Sequence, residues 1–234
     1  MDINKTRNTF KVFLFFPLLI YFGKRSLIAY DEGFYALQAK FILEKSNWIG
    51  PLFFDSLSTD RTIGIQSLMA LSRSVFGESL FALYLPILIA AILMLISTYF
   101  LHKELLNAKY PIYSSLILST SFLWISYANM ATQDIVFASI VSCGILFTIK
   151  AFKSNKKIYL ICTGIWIGLA FMLKTFLTVI PFLALFPFLF TNKIIYKKYF
   201  WIGLIIGFAP FIFWSYSYIV IYGISNYSGL YTKI

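Results

Sequence analysis

Charge is scarce in this sequence: 12% of its 234 residues are Asp, Glu, Lys or Arg, against 60% that are hydrophobic. A water-facing domain carries roughly 25% charged residues. A soluble globular fold is therefore excluded, and the surplus apolar surface must face lipid. Histidine is almost missing. His102 stands alone, with no Cys or His neighbour to build a zinc site. Cysteine is nearly as rare, and Cys143 and Cys162 lie inside apolar runs, where they read as small packing residues rather than a disulfide. No cofactor and no metal site is expected. Acids are few as well, nine against twenty Lys and Arg, for a net charge of +11. The basic residues come in short clusters between apolar runs and form no stripe on a polar helix face. They point to membrane lipids and away from nucleic acid.

The apolar runs set the architecture. A single crossing takes about 20 apolar residues for a hydrocarbon core of roughly 30 Å. Residues 81–101 form a run without charge, and 200–222 another, interrupted by Pro210. A shorter run at 9–23 is extended by the snorkelling of Lys11 and Lys24, and reads as an uncleaved first span. Two stretches are too long for one crossing. Residues 111–149 carry only Asp134, and 159–192 only Lys174; as single helices they would reach nearly 60 and about 50 Å. Each must fold back, most cheaply beside its lone charge, which can then reach water. The expectation is an all-α polytopic membrane protein, a single membrane domain over 1–234, with seven spans at 9–23, 81–101, 111–129, 135–152, 158–173, 175–191 and 200–222. Gly164 and Gly168, and Gly203 and Gly207, have the small-x-x-x-small spacing that lets helices approach closely.

Basic residues concentrate on cytosolic loops. With the N-terminus inside, the dense clusters Lys150, Lys153, Lys156, Lys157 and Lys193, Lys197, Lys198 all fall on the inner side, while only Asp2 and Glu104 of the acids do. The abundance of Ile, Phe, Lys and Asn fits a bacterial plasma membrane.

That orientation puts residues 24–80, the longest loop, outside. Phe34, Leu37, Phe41 and Ile42 recur at helical spacing from Glu32 onward, and Ile65, Leu68, Met69 and Leu71 repeat the pattern after Gly64. Both segments read as amphipathic interfacial helices. Asp31, immediately before the first, has the chemistry of an N-cap. The outer side thus collects Asp31, Glu32, Asp60, Arg61, Asp134 and Lys174, and charges at the tips of membrane hairpins are functional candidates.

Asp31-Glu32-Gly33-Phe34-Tyr35, just after the first span, resembles the Asp-Glu motif in the first outer loop of the C-type glycosyltransferases, in the branch of the protein O-mannosyltransferases and aminoarabinose transferases. Asp60-Arg61 stands where those enzymes often have an acidic-Lys-Pro-Pro stretch, Ala131-Thr132-Gln133-Asp134 is similar to their Thr-Pro-Asp turn, and Leu173-Lys174-Thr175 to their Thr-Lys-Gly. The Pro pair is absent here, Arg61 replaces Lys, and Thr175 replaces Gly. Members of the family are usually about twice as long, so the resemblance implies a chain shortened after the seventh span.

The resemblance implies inverting transfer of a sugar from a polyprenyl-phosphate carrier to a lipid, glycan or protein hydroxyl on the outer face. In that scheme Asp31 is the base, with Glu32 beside it and Asp134 assisting or positioning the acceptor. Arg61 and Lys174 hold the phosphate, and Tyr35 and Asp60 line the same pocket. An inactive shortened relative, and a non-enzymatic transporter or accessory subunit, are the alternatives. A transporter is expected to carry its charges near the midplane within inverted repeats, and the sequence has no such repeat.

Overall fold

The computed structural model describes residues 26–232 apart from 29, 55, 59, 60 and 108. The span expected at 9–23 and the candidate Asp60 lie outside the described residues.

The long loop contains two helices, α1 (Asp31–Glu44) and α2 (Gly64–Phe76), separated by a minimal antiparallel pairing of β1 (Leu52–Phe53) with β2 (Ser56–Leu57). The expected faces need correction. On α1 the buried side is Glu32, Tyr35, Gln38, Ala39 and Ile42 rather than the Phe34–Leu37–Phe41 stripe. That side packs against α2, where the Gln66 and Gln38 side-chain amides meet at 2.8 Å. α1 is a packed element of the protein, not a helix floating in the interface. α2 does present apolar groups outward, with Leu71, Val75 and Phe76 all more than half exposed, as an interfacial helix should.

The membrane helices follow. α3 (Leu80–Leu106) begins where the Ser79 hydroxyl accepts the Ala82 N–H at 3.1 Å, a standard N-cap. It ends at Asn107 with φ 47°, a residue type that tolerates the left-handed conformation. The span expected at 111–129 is broken in two, α4 (Ile112–Thr120) and α5 (Phe122–Ala128), by an extended Ser121. The cause lies in the Ser119-Thr120-Ser121 run. Its hydroxyls donate to the carbonyls of Leu116, Ile117 and Leu118, competing with the helix's own bonds. α6 (Asp134–Ser154) and α7 (Lys157–Lys174) form the next hairpin, followed by a 3₁₀ turn at Thr175–Thr178, α8 (Val179–Thr191), α9 (Lys198–Tyr222) and α10 (Ile224–Thr232).

Among the described residues, four segments are long and apolar enough to cross a membrane: Leu80–Leu106, Asp134–Ser154, Lys157–Thr191 and Lys198–Tyr222. The third reverses at the turn beside Lys174. Phe188 of α8 returns to Phe152 at the end of α6, ring centroids 5.5 Å apart. Both expected hairpins therefore turn at their lone charge, and the length and composition of the described helices do not by themselves establish a count of seven crossings.

α7 and α9 run parallel, because Gly164 meets Phe200 and Gly203 while Gly168 meets Gly207. At each of these glycines a Cβ would collide with the partner's backbone, so the paired small residues are a packing device. α9 is pinned at its far end by the loop after α1. The Trp214 indole donates to the Ile49 carbonyl at 2.8 Å, and the Asn47 amide donates to the Tyr222 hydroxyl at 2.6 Å.

An intruding side chain at Gly168 meets backbone, which cannot swing aside. Gly168→Val is expected to lower the thermal midpoint of the detergent-solubilised protein by roughly 5–10 °C, while Ile205→Leu on the exposed face of α9 leaves it unchanged. An unshifted midpoint for Gly168→Val would show that the two helices are not in contact.

Candidate active site

Five of the candidate side chains meet where α1, the strand-to-α2 loop and the two hairpin tips converge. Asp31 is the first helical residue of α1, and no side chain caps that helix. The N-cap expectation is replaced by an ion pair, since the Asp31 carboxylate faces Arg61, Nη2 to Oδ1 3.2 Å. Arg61 also donates to the Tyr35 hydroxyl, with its guanidinium carbon 5.2 Å from the Tyr35 ring centroid. On the other side, Lys174 at the end of α7 pairs with Asp134 at the start of α6, its ammonium 5.8 Å from the Phe137 ring centroid.

Tyr35 links the two pairs. Burial pushes its hydroxyl up to about 12; Arg61 opposes this, while both Asp31 and Asp134 add to it. The phenol stays protonated at any physiological pH. Because its oxygen already accepts from Arg61, its own proton is directed elsewhere, to a carboxylate or to a ligand oxygen.

Glu32, named beside Asp31 in the sequence, is fully buried at 0% exposure. Its carboxylate accepts from the Ile28 N–H at 2.6 Å, the Tyr84 hydroxyl at 3.1 Å and the Ala131 N–H at 2.6 Å. A carboxylate so engaged is not exposed to a substrate. One position earlier, Asp31 projects about 100° around the helix and is exposed. Sequence reasoning missed Tyr84 and Thr62, and took Ala131 only as part of the turn before Asp134. Thr62, next to Arg61, donates its hydroxyl to the carbonyls of Met172 at 2.8 Å and Leu173 at 3.4 Å. The only signals for these residues were a tyrosine inside an apolar span and a threonine beside a basic residue, neither of them specific.

The described residues contain no group of three or more His, Cys, Asp or Glu able to hold a metal ion. Two carboxylates and two cations on separate elements, with a protonated phenol between them, suit general-base and anion-binding chemistry.

Residues 60–216 match the family described as dolichyl-phosphate-mannose-protein mannosyltransferase. The chain belongs to this family. The matched stretch includes Arg61, Asp134 and Lys174, and Asp31 and Glu32 precede it. Among curated relatives, the undecaprenyl phosphate-alpha-4-amino-4-deoxy-L-arabinose arabinosyl transferase of Pseudomonas savastanoi pv. phaseolicola is 23% identical over 75% of this chain and 34% of its own length. A second enzyme of that name from Proteus mirabilis is 29% identical over 74% of the chain and 33% of its own length, and that of Wigglesworthia glossinidia brevipalpis 27% over 84% and 36%. This chain thus spans about a third of the length of these relatives. Among solved structures, ArnT from Cupriavidus metallidurans bound to undecaprenyl phosphate superposes with a TM-score of 0.83 at 14% identity, covering 95% of this chain and 43% of that one. Its apo state gives 0.84. At such identity the likeness is one of fold, and the fold is that of a polytopic membrane protein.

Thr175 stands where the resemblance placed glycine, and its φ of 41° lies in a region that β-branched residues avoid. Such strain costs about 1–3 kcal/mol, against about 0.5–1 kcal/mol for the added freedom of an unfolded glycine. Thr175→Gly is expected to raise the thermal midpoint by about 2–4 °C. A lower midpoint would mean that the turn after Lys174 is unstrained.

Proposed function

We propose that this chain carries a glycosyl-transfer site of the C type, which uses a polyprenyl-phosphate-linked sugar and an acceptor hydroxyl at the outer face of a bacterial plasma membrane, with the N-terminus in the cytosol. The observation that carries the reading is the meeting of Asp31, Arg61, Asp134 and Lys174 from four separate elements at one end of the membrane helices. The curated relatives, whose names specify undecaprenyl phosphate-linked aminoarabinose, support the class of donor. The orientation is supported by sidedness. The basic clusters around Lys150, Lys157 and Lys198 sit at the helix ends away from the site, as lysines at a cytosolic face do.

In this reaction the acceptor oxygen forms a bond to the anomeric carbon as the bond from that carbon to the phosphate oxygen breaks. The leaving phosphate keeps the electron pair, and a single displacement inverts the configuration. Asp31 takes the acceptor's proton, a contribution of about 10² to 10⁴ in rate. Asp134 positions the acceptor. Arg61 and Lys174 receive the charge that grows on the phosphate, the guanidinium through its two-pronged fork. A phosphate entering between the cations draws Arg61 from Asp31 and leaves that carboxylate open to the acceptor. The Tyr35 hydroxyl, still protonated, donates to the carrier or the sugar. Charges gathered at one face, rather than at the midplane, speak against the transporter reading.

In proteoliposomes loaded with a polyprenyl-phosphate sugar, Asp31→Asn is expected to reduce release of polyprenyl phosphate by about 10²-fold or more at normal protein level. Lys174→Ala should raise the donor KM more than the acceptor KM. Wild-type activity that survives Asp31→Asn would remove the base and the reading with it.

A further inference from the structure

Two buried polar side chains, Glu32 and Thr62, each tie together one half of the charge cluster. The geometry points to Glu32 and Thr62 as positioning residues with separate duties: Glu32 sets the spacing of the two carboxylates, and Thr62 that of the two cations. This inference rests on the glycosyl-transfer reading.

Glu32 directly follows Asp31, and its Oε1 accepts the N–H of Ala131, three residues before Asp134, at 2.6 Å. The same oxygen accepts the Tyr84 hydroxyl from α3 at 3.1 Å, while Oε2 accepts the Ile28 N–H at 2.6 Å. One carboxylate therefore fastens the Asp31 end of α1 both to a membrane helix and to the turn that carries Asp134. Thr62 directly follows Arg61, and its hydroxyl reaches the Met172 and Leu173 carbonyls, which directly precede Lys174. Gly64 supports this second link, since a Cβ there would lie 2.6 Å from the Met172 carbonyl oxygen. The strand-to-α2 loop can approach the end of α7 only because that position is bare.

The two links fail differently. In Glu32→Gln one terminal atom becomes an NH₂ donor. The two backbone N–H groups bind different oxygens, so one of them must then face a donor, at nearly unchanged volume. Asp31 and Asp134 lose their relative placement while the cations keep theirs. Displacements of about 1 Å at a reacting group cost up to roughly 10²-fold in rate. Thr62→Val keeps the shape and removes the hydroxyl, releasing the Arg61 segment from α7 while the carboxylates stay in place.

The test is a crossed kinetic pattern in the full chain, with binding read separately by titration with undecaprenyl phosphate. Glu32→Gln is expected to lower kcat by about 10- to 100-fold with the undecaprenyl phosphate Kd within about twofold of wild type. Thr62→Val is expected to weaken that Kd by about 5- to 10-fold and to lower kcat by less than Glu32→Gln does, and Thr62→Ser should restore binding. The double variant Glu32→Gln/Asp134→Asn should be no slower than Asp134→Asn alone, since Glu32 acts through the placement of Asp134. Should Glu32→Gln fold poorly, Tyr84→Phe removes one of the donors and must lower kcat in the same direction by less. Equal effects of both substitutions on kcat and Kd, or an additive double variant, would overturn the division of duties and leave the two side chains as general stabilisers. A wild-type chain without transfer activity overturns the glycosyl-transfer reading and the duty of Glu32 together, and the Thr62 link is then judged on binding alone.

Discussion

A charge in the middle of a long apolar stretch has to leave hydrocarbon, and it does so most cheaply at a helix end whose partial charge favours it. Asp134 is the first residue of α6 and Lys174 the last of α7. The positive N-terminal end of one helix thus receives a carboxylate, and the negative C-terminal end of the other an ammonium. The two helices form an antiparallel hairpin, so those ends lie side by side and the charges pair. Turn position, helix polarity and ion pair satisfy one another. The rest of the site is built onto this corner. α1 is fastened to the Asp134 turn through Glu32 and Ala131, and the Arg61 loop to the end of α7 through Thr62.

The corner was legible in the sequence because it follows from length and charge alone. A run that is too long to cross once, with a single ionisable residue, has little freedom about where to turn. Asp31 and Glu32 were not separable in this way. Adjacent carboxylates in a motif read alike, and only the rotation of about 100° per residue, together with which face of α1 is packed, divides them into an exposed group and a buried one. That face was misjudged because Phe34, Leu37 and Phe41 look like the natural apolar stripe, whereas the packed side contains Gln38 and Glu32. Polar residues that pair with each other inside a protein are invisible to a hydrophobicity pattern. The break at Ser121 was missed for a related reason. Hydropathy registers Ser119, Thr120 and Ser121 as mildly polar and carries no information about their bonds to the preceding carbonyls.

The strained backbone next to the charges also has a place in this construction. Tyr30, at φ 70°, directly precedes Asp31, and Thr175, at φ 41°, directly follows Lys174. Non-glycine residues hold such angles only when their surroundings fix them. Here the surroundings are the Glu32 bonds on one side and the 3₁₀ turn into α8 on the other. At the ends of α3 and α6 the residue at positive φ is asparagine, which tolerates that region, and Ser46, Phe54 and Lys193 hold it at other turns. Two of these residues, Tyr30 and Thr175, flank the charge cluster.

The unequal exposure of the two ion pairs bears on which carboxylate serves as the base in the proposed transfer. The Arg61 and Asp31 side chains are 39% and 57% exposed, while Lys174 and Asp134 are 18% and 36% exposed. An exposed pair is worth at most about 1 kcal/mol, so an arriving phosphate can take Arg61 from Asp31 at little cost. The Lys174 pair is drier and aligned with two helix ends, and separating it costs more. Asp31 is therefore the carboxylate more readily freed, and Asp134 the one that holds its position. In the proposed reaction the same difference assigns the cations: Arg61 follows the phosphate as it enters, and Lys174 stays fixed beside Asp134.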